Sequence, residues 1–297
     1  MKPLLRTKRR RAHRYGVVAC LPLAVWLAIQ PMAARGAAPV RVVSLNVCTD
    51  QLAMLVAAPG QLAAVSHLAR EPQQSALVEE ARAYPITTGH AEDVFRLAPD
   101  LVLAGIHTTP ETVRLLQRLG VRVERFESAT AVEAVAIGVR RMGRLLGREE
   151  RAERLAAAVE RRLAAVAADR PERPRIGAVF LDANSYTAGS GTLMHAVIQA
   201  AGLRNIAAEL GLARTARLPL EALVLAHPGL LLVPQRYGHP SMGEAVLDHP
   251  AVRALVADRH RAVISGAEST CATPATITAV ERLAALRRRL AARERGS

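Results

Sequence analysis

Between residues 40 and 146, short β-branched apolar runs alternate with longer segments of helical period, and the same alternation restarts after residue 174. In the first stretch, Arg41–Leu45, Leu62–Ser66, Pro85–Thr88, Leu101–Ala104 and Val121–Phe126 read as strands. Helices are predicted over Gln51–Ala57 and Ala91–Leu97, from Thr109-Pro110 to a stop at Gly120, and over Ala131–Leu146. In the second stretch the strand candidates are Arg175–Leu181, Leu230–Val233 and Ala262–Ser265. Helices are expected over Leu193–Ala201, over Pro219–Ala226, from His249-Pro250 onward, and over Pro274–Ala292. Strands alternating with helices at this spacing predict parallel sheets covered on both faces.

One segment separates the two stretches. Arg148–Asp169 is built from Ala, Leu, Arg and Glu, all strong helix formers. Leu155, Val159, Leu163 and Val166 make a single apolar stripe, with charge on the other face. Gly147 breaks the chain before it, and Pro171 and Pro174 stop it. At ~1.5 Å per residue the helix is roughly 33 Å long, a stiff spine between two α/β units. The expected organisation is an N-terminal lobe at 39–146, a bridging helix at 147–172 and a C-terminal lobe at 173–297.

Residues 1–38 stand apart. Seven Lys/Arg in residues 2–14 precede an apolar run, Val17–Ile29, and a small-residue stretch at 32–38. These are the three parts of a cleaved signal peptide, and the apolar run falls short of the ~20 residues of a spanning helix. Removing this segment, with its eight basic residues and no acid, takes the net charge from +14 to +6. With no aromatic-interleaved basic patch, nucleic-acid binding is unsupported. The exported chain keeps two cysteines, Cys48 and Cys271, which are open to a disulfide, to thiolate ligation or to remaining free.

Candidate chemistry collects after the strands. In parallel sheets ligands sit beyond the carboxyl ends of the strands, and Cys48, His67, His90 and His107 each follow a predicted strand. Thiolate and imidazole suit Zn, Cu, Fe and haem, so these four form a candidate metal set, although no tight zinc spacing is present. Asn46 and Thr49 flank Cys48 in the same loop. In the second stretch Tyr186, Arg236, Tyr237 and Cys271 hold comparable positions. The tyrosines offer flat contact to a ligand or plain surface. Arg70 and Arg236 could pair with ligand carboxylates or stay solvated.

RVVSLNVCTDQL, AEDVFRLAPDLVLAG, AGSGTLMHAVIQAAGLRNIA, LPLEALVLAHPGLLLV and STCATPATITAVERL together resemble the helical-backbone periplasmic binding proteins of ABC importers for cobalamin, ferric siderophores and haem. The resemblance covers nearly all of residues 40–290 in order. It implies two Rossmann-like α/β lobes bridged by a single long backbone helix, with a ligand cleft between the lobes and little hinge motion. It also implies that Glu92 and Glu221 dock onto an inner-membrane permease; the alternative is acids favoured in a helix's first turn by the macrodipole. The single Trp, Trp26, lies in the predicted signal peptide, which weakens cobalamin against a siderophore or haem.

The leading expectation is a monomeric periplasmic protein, with no cofactor of its own, that captures a metal-containing small molecule for a permease. The alternative is a bare zinc or manganese binder using three His with Asp50 or Glu268. No G-x-S-x-G elbow, phosphate loop or H-E-x-x-H is present, so catalysis is not expected.

Overall fold

The computed structural model describes residues 38–172, 174–236, 241–257 and 260–296. Residues 1–37 of the predicted signal segment, and Tyr237, lie outside the described residues. From Ala37 to Ser297 the chain is one compact unit.

The first lobe runs β1 (Val42–Ser44), α1 (Val47–Val56), β2 (Leu62–Ser66), α2 (Val78–Ala81) and β3 (Ile86–Thr87). It continues with α3 (Ala91–Arg96), β4 (Leu101–Gly105), α4 (Pro110–Arg118), β5 (Val123–Phe126) and α5 (Ala134–Leu146). Its five strands are parallel, in the order β3-β2-β1-β4-β5. Side chains alternate between the faces. Val42, Leu101 and Leu103 enter a core under α1 and α5, while Val43 and Val102 enter another with Val94 and Leu116 of α3 and α4.

α6 (Glu149–Ala168) follows a left-handed Gly147 at φ 65° and leads into the second lobe. That lobe opens with β6 (Gly177–Phe180), β7 (Tyr186–Ala188), α7 (Leu193–Ala200), β8 (Arg204–Asn205), α8 (Ile206–Glu209) and β9 (Thr215–Arg217). It closes with α9 (Leu220–Leu225), β10 (Leu230–Pro234), α10 (Pro250–Ala257), β11 (His260–Ile264), α11 (Gly266–Ser269) and α12 (Pro274–Gly296). Four strands pair in parallel as β11-β10-β6-β8, and β7-β9 is a separate antiparallel ribbon. The ribbon and β8 differ from expectation. At two or three residues each, such strands are too short to show a period in sequence.

α6 reaches into both cores. Ala152, Ala156 and Val159 enter the first lobe's core with Leu155, Val166 enters the second lobe's core, and Leu163 packs against both. α12 braces the same boundary, with Ile277 in the first core and Val280 and Leu283 in the second. Charged pairs fix the spine's outer face. Arg140 of α5 holds Glu153 and Glu160, and Arg162 meets Glu281 of α12 at 2.7 Å. Arg287 and Arg288 converge on Asp169 at 2.6 and 2.7 Å. The exposed pairs contribute little energy each, so their effect is mainly orientation; Arg287 is the buried member of the set.

α5 and α6 approach closely because residue 143 is Gly. A Cβ there would lie 2.3 Å from the Ala152 Cβ. Gly143→Ala is expected to cost about 1–3 kcal/mol through overpacking, and Ala152→Gly in the same chain to restore part of it. Denaturant unfolding of both variants checks this; a neutral Gly143→Ala would show that the two helices are loosely packed.

Candidate functional site

Both parallel sheets end their strands at the boundary between the lobes, and a covalent bond crosses it. Cys48 at the start of α1 and Cys271 between α11 and α12 form a disulfide, with Cα atoms 5.1 Å apart. This decides among the three states open to these cysteines. Cys48 therefore has no thiolate to give a metal.

His67, His90 and His107 do sit at the carboxyl ends of β2, β3 and β4, all exposed. They do not converge: among the described residues no three His, Cys, Asp or Glu side chains are placed to hold an ion. The proposed set of Cys48, His67, His90 and His107 thus does not gather into one ion site: Cys48 is in the disulfide and the three imidazoles stand along one rim. For His107 the sheet order gives the reason, because β1 lies between β2 and β4 and neighbouring strands are ~4.8 Å apart.

Several other candidates spend their polar groups on the fold. The Asn46 side chain accepts from the Cys48 N–H at 3.0 Å and caps α1. It also fills the space beside Gly105, where a Cβ would come within 2.6 Å of it. Thr49 is fully buried, and its hydroxyl donates to the Asn46 carbonyl and meets Ser44 Oγ. Arg70 donates to the backbone carbonyls of Ala81 and Tyr84, the latter at 2.7 Å, and pins α2 beside β2. Arg236 is held in a two-bond pair with Asp248 at 2.8 and 3.0 Å. Glu268 is taken by the cap on Ser265 and by Arg282, and Asp50 by Ser66, so neither is free to complete an ion site.

Asp50 is the unusual group here. It is wholly buried on α1, accepts from the Ser66 N–H and hydroxyl, and desolvation pushes its carboxyl up to about 7 despite those bonds.

Two cavities lie beyond the carboxyl ends of second-lobe strands. One, of 460 Å³, lies between the lobes, lined by Pro72, Ser75 and Ala76 of the first and by Ser265, Glu268 and Arg282 of the second. The other, of 160 Å³, sits at the end of β6 behind the β7-β9 ribbon. Asp182, Tyr186, Thr215 and Ser269 line it, and the Arg217 guanidinium stacks 5.5 Å from the centre of the Tyr186 ring. The turn before Tyr186 is strained, with Asn184 and Ser185 both at positive φ (54° and 60°). Tyr186 is thus the candidate that the structure leaves exposed beside a cavity. Arg217 and Thr215 escaped the sequence reading because the ribbon that aligns them with Tyr186 left no periodic signal.

The docking candidates share a local frame. AEDVFRLAPDLVLA (91–104) and LEALVLAHPGLLLV (220–233) match position by position. Glu92 falls on Glu221, and buried Val94 falls on buried Leu223. Ala98 and His227 follow at φ 45° and 43°, then Pro99 and Pro228, then β4 and β10. Both glutamates are exposed, and neither has a hydrogen-bond or ion-pair partner among the described residues. The neighbouring Asp93, by contrast, pairs with Thr88 and Arg96, whose hydrogen bonds hold its carboxyl below the usual range.

A periplasmic binding protein family model matches residues 42–270. The chain belongs to that family. Its fold is shared with the periplasmic heme-binding protein RhuT from Roseiflexus sp. RS-1, at 25% identity and TM-score 0.66, over 84% of this chain and 98% of the other. It is also shared with the periplasmic heme-binding protein HutB of Vibrio cholerae, at 22% and 0.70, over 83% and 98%. The vitamin B12 binding protein BtuF of Vibrio cholerae gives 18% and 0.66, over 85% and 98%. A cobalamin-binding protein of Halobacterium salinarum is 37% identical over 124 residues, which is 40% of this chain and 33% of that relative. The chain therefore matches about a third of that curated relative's length. In this periplasmic binding protein no helix among the described residues is long and apolar enough to cross a membrane.

Proposed function

We propose that the protein is the substrate-binding component of an ABC importer, and that its cargo is a metal-bearing organic complex: haem, a ferric siderophore or cobalamin. The observation that carries this is the family match, joined to two α/β lobes held on one spine with their strand ends at a shared boundary. Relatives and structural neighbours named for heme, vitamin B12 and Fe3+-hydroxamate support the cargo class. A bare zinc or manganese ion is disfavoured, because Cys48 is oxidised and no three ligands gather into an ion site among the described residues. The exposed Tyr186 with Arg217, and the rim of His67, His90 and His107, are the groups best placed to meet such a cargo. Among the described residues the boundary is poor in aromatics, which favours haem or a siderophore over the corrin ring.

Export through a cleaved signal peptide agrees with the disulfide, since such bonds persist in oxidising compartments. Glu92 and Glu221, matched in frame and unpaired, are the residues proposed to dock the loaded protein, as a monomer, on basic groups of a two-fold permease. Glu92→Gln with Glu221→Gln is expected to cut import in cells by about tenfold or more while leaving cargo affinity in solution unchanged. Import at the wild-type rate would remove these residues from the docking surface.

A further inference from the structure

The end of the second lobe opposite the strand tips carries a feature that cargo binding does not use. A cavity of 320 Å³ opens at the starts of β6, β8, β10 and β11, within the ~300–1,000 Å³ range of small-molecule sites. Arg175, Arg204, His227, His260 and Arg293 line it over an apolar floor that includes Ile176 and Leu290, and no Asp or Glu among the described residues does. Gly177 and Gly229 leave the floor open: a Cβ on Gly229 would lie 3.3 Å from Ile176, and one on Gly177 2.5 Å from Ile206.

The basic groups are arranged, not merely abundant. Glu209 grips Arg204 through two bonds of 2.7 and 2.8 Å, which fixes the guanidinium at the rim, and Arg204 also donates to the Arg175 carbonyl at 3.4 Å. His227 is held at the rim by a backbone at φ 43°, uncommon for a residue with a side chain. The Arg175 side chain has no acidic partner among the described residues. Glu209 stands outside the lining and neutralises Arg204, so the donors left to an anion are the Arg175 guanidinium and the imidazoles of His227 and His260; a planar guanidinium matches an oxyanion with two bonds at once.

We propose that this pocket binds a multivalent oxyanion, presented as phosphate or as the carboxylates of a polycarboxylate. The probes are inorganic phosphate, citrate and chloride at matched ionic strength, read by calorimetry and thermal shift on the mature protein. Phosphate, citrate or both are expected to saturate with a rise in melting temperature, and chloride to do neither. The comparison of the first two tells which source the pocket takes. Arg175→Gln with His227→Asn should weaken that binding roughly tenfold or more; Asn tolerates the positive φ, and both side chains are exposed, so folding is retained. Arg118→Gln on α4 is the charge-matched control and should leave binding unchanged. No saturable response, or equal weakening by Arg118→Gln, would overturn the assignment. Cargo titration at the lobe boundary is independent of either result.

Discussion

Replacing Cys48 with Ser and Cys271 with Ala is expected to lower the melting temperature by roughly 4–16 °C. The bond closes a sequence separation of 223 residues. The chain-entropy model sets a ceiling of roughly 5 kcal/mol for a loop of that length, and native disulfides commonly contribute about 2–4. The position adds a mechanical consequence, because the link ties the first turn of α1 to the segment before α12 across the lobe boundary. Without it, the boundary is held by α6, by the crossing of α12, and by noncovalent packing such as Gly266 against the Gln73 carbonyl. Proteolysis near residues 70–77 should therefore quicken in the double variant. Intact mass of the oxidised protein with and without reductant gives the direct check; two free thiols in protein purified from the periplasm would contradict the link.

The second large effect is pH-dependent. Asp50 has a folded-state pKa of about 7 against an ordinary 3.8, because burial disfavours its charge. A raised carboxyl stabilises the folded chain fully below about pH 4, and that contribution is lost as the pH climbs through about 7. The shift corresponds to roughly 4 kcal/mol at most. Asp50→Asn, a neutral residue of the same shape, should match wild type near pH 4 and exceed it by about 2–4 kcal/mol near pH 8. Acids held low by ion pairs, such as Glu153, Glu160 and Asp169, titrate alike in both proteins and cancel in the difference. A gain independent of pH would mean that Asp50 is charged in its pocket or that Asn repairs something else.

The α/β alternation and the long helix α6 were legible because their signals are long. Twenty residues of α6 carry one apolar stripe, and Leu230–Val233 and Leu101–Ala104 are continuous buried runs. The site was legible only in outline. His67, His90 and His107 do follow β2, β3 and β4, but proximity within a sheet depends on strand order, which the sequence pattern does not encode. Asn46, Thr49, Arg70 and Arg236 sit at the right ends of the right strands, yet their polar groups are spent on capping, buried bonds and ion pairing. A polar residue beside a cleft can serve the fold or the ligand, and only its partners separate the two. The cysteines, 223 positions apart, needed the three-dimensional meeting of the lobes to be paired.

The most direct measurement is a titration of the mature protein with haem, cobalamin, a panel of ferric siderophores and zinc or manganese, followed by absorbance, fluorescence and calorimetry. Saturable one-to-one binding of a metal complex in the micromolar range or tighter, weakened by Tyr186→Ala, is the expected result. Stoichiometric uptake of the bare ion, with no complex bound, would contradict it.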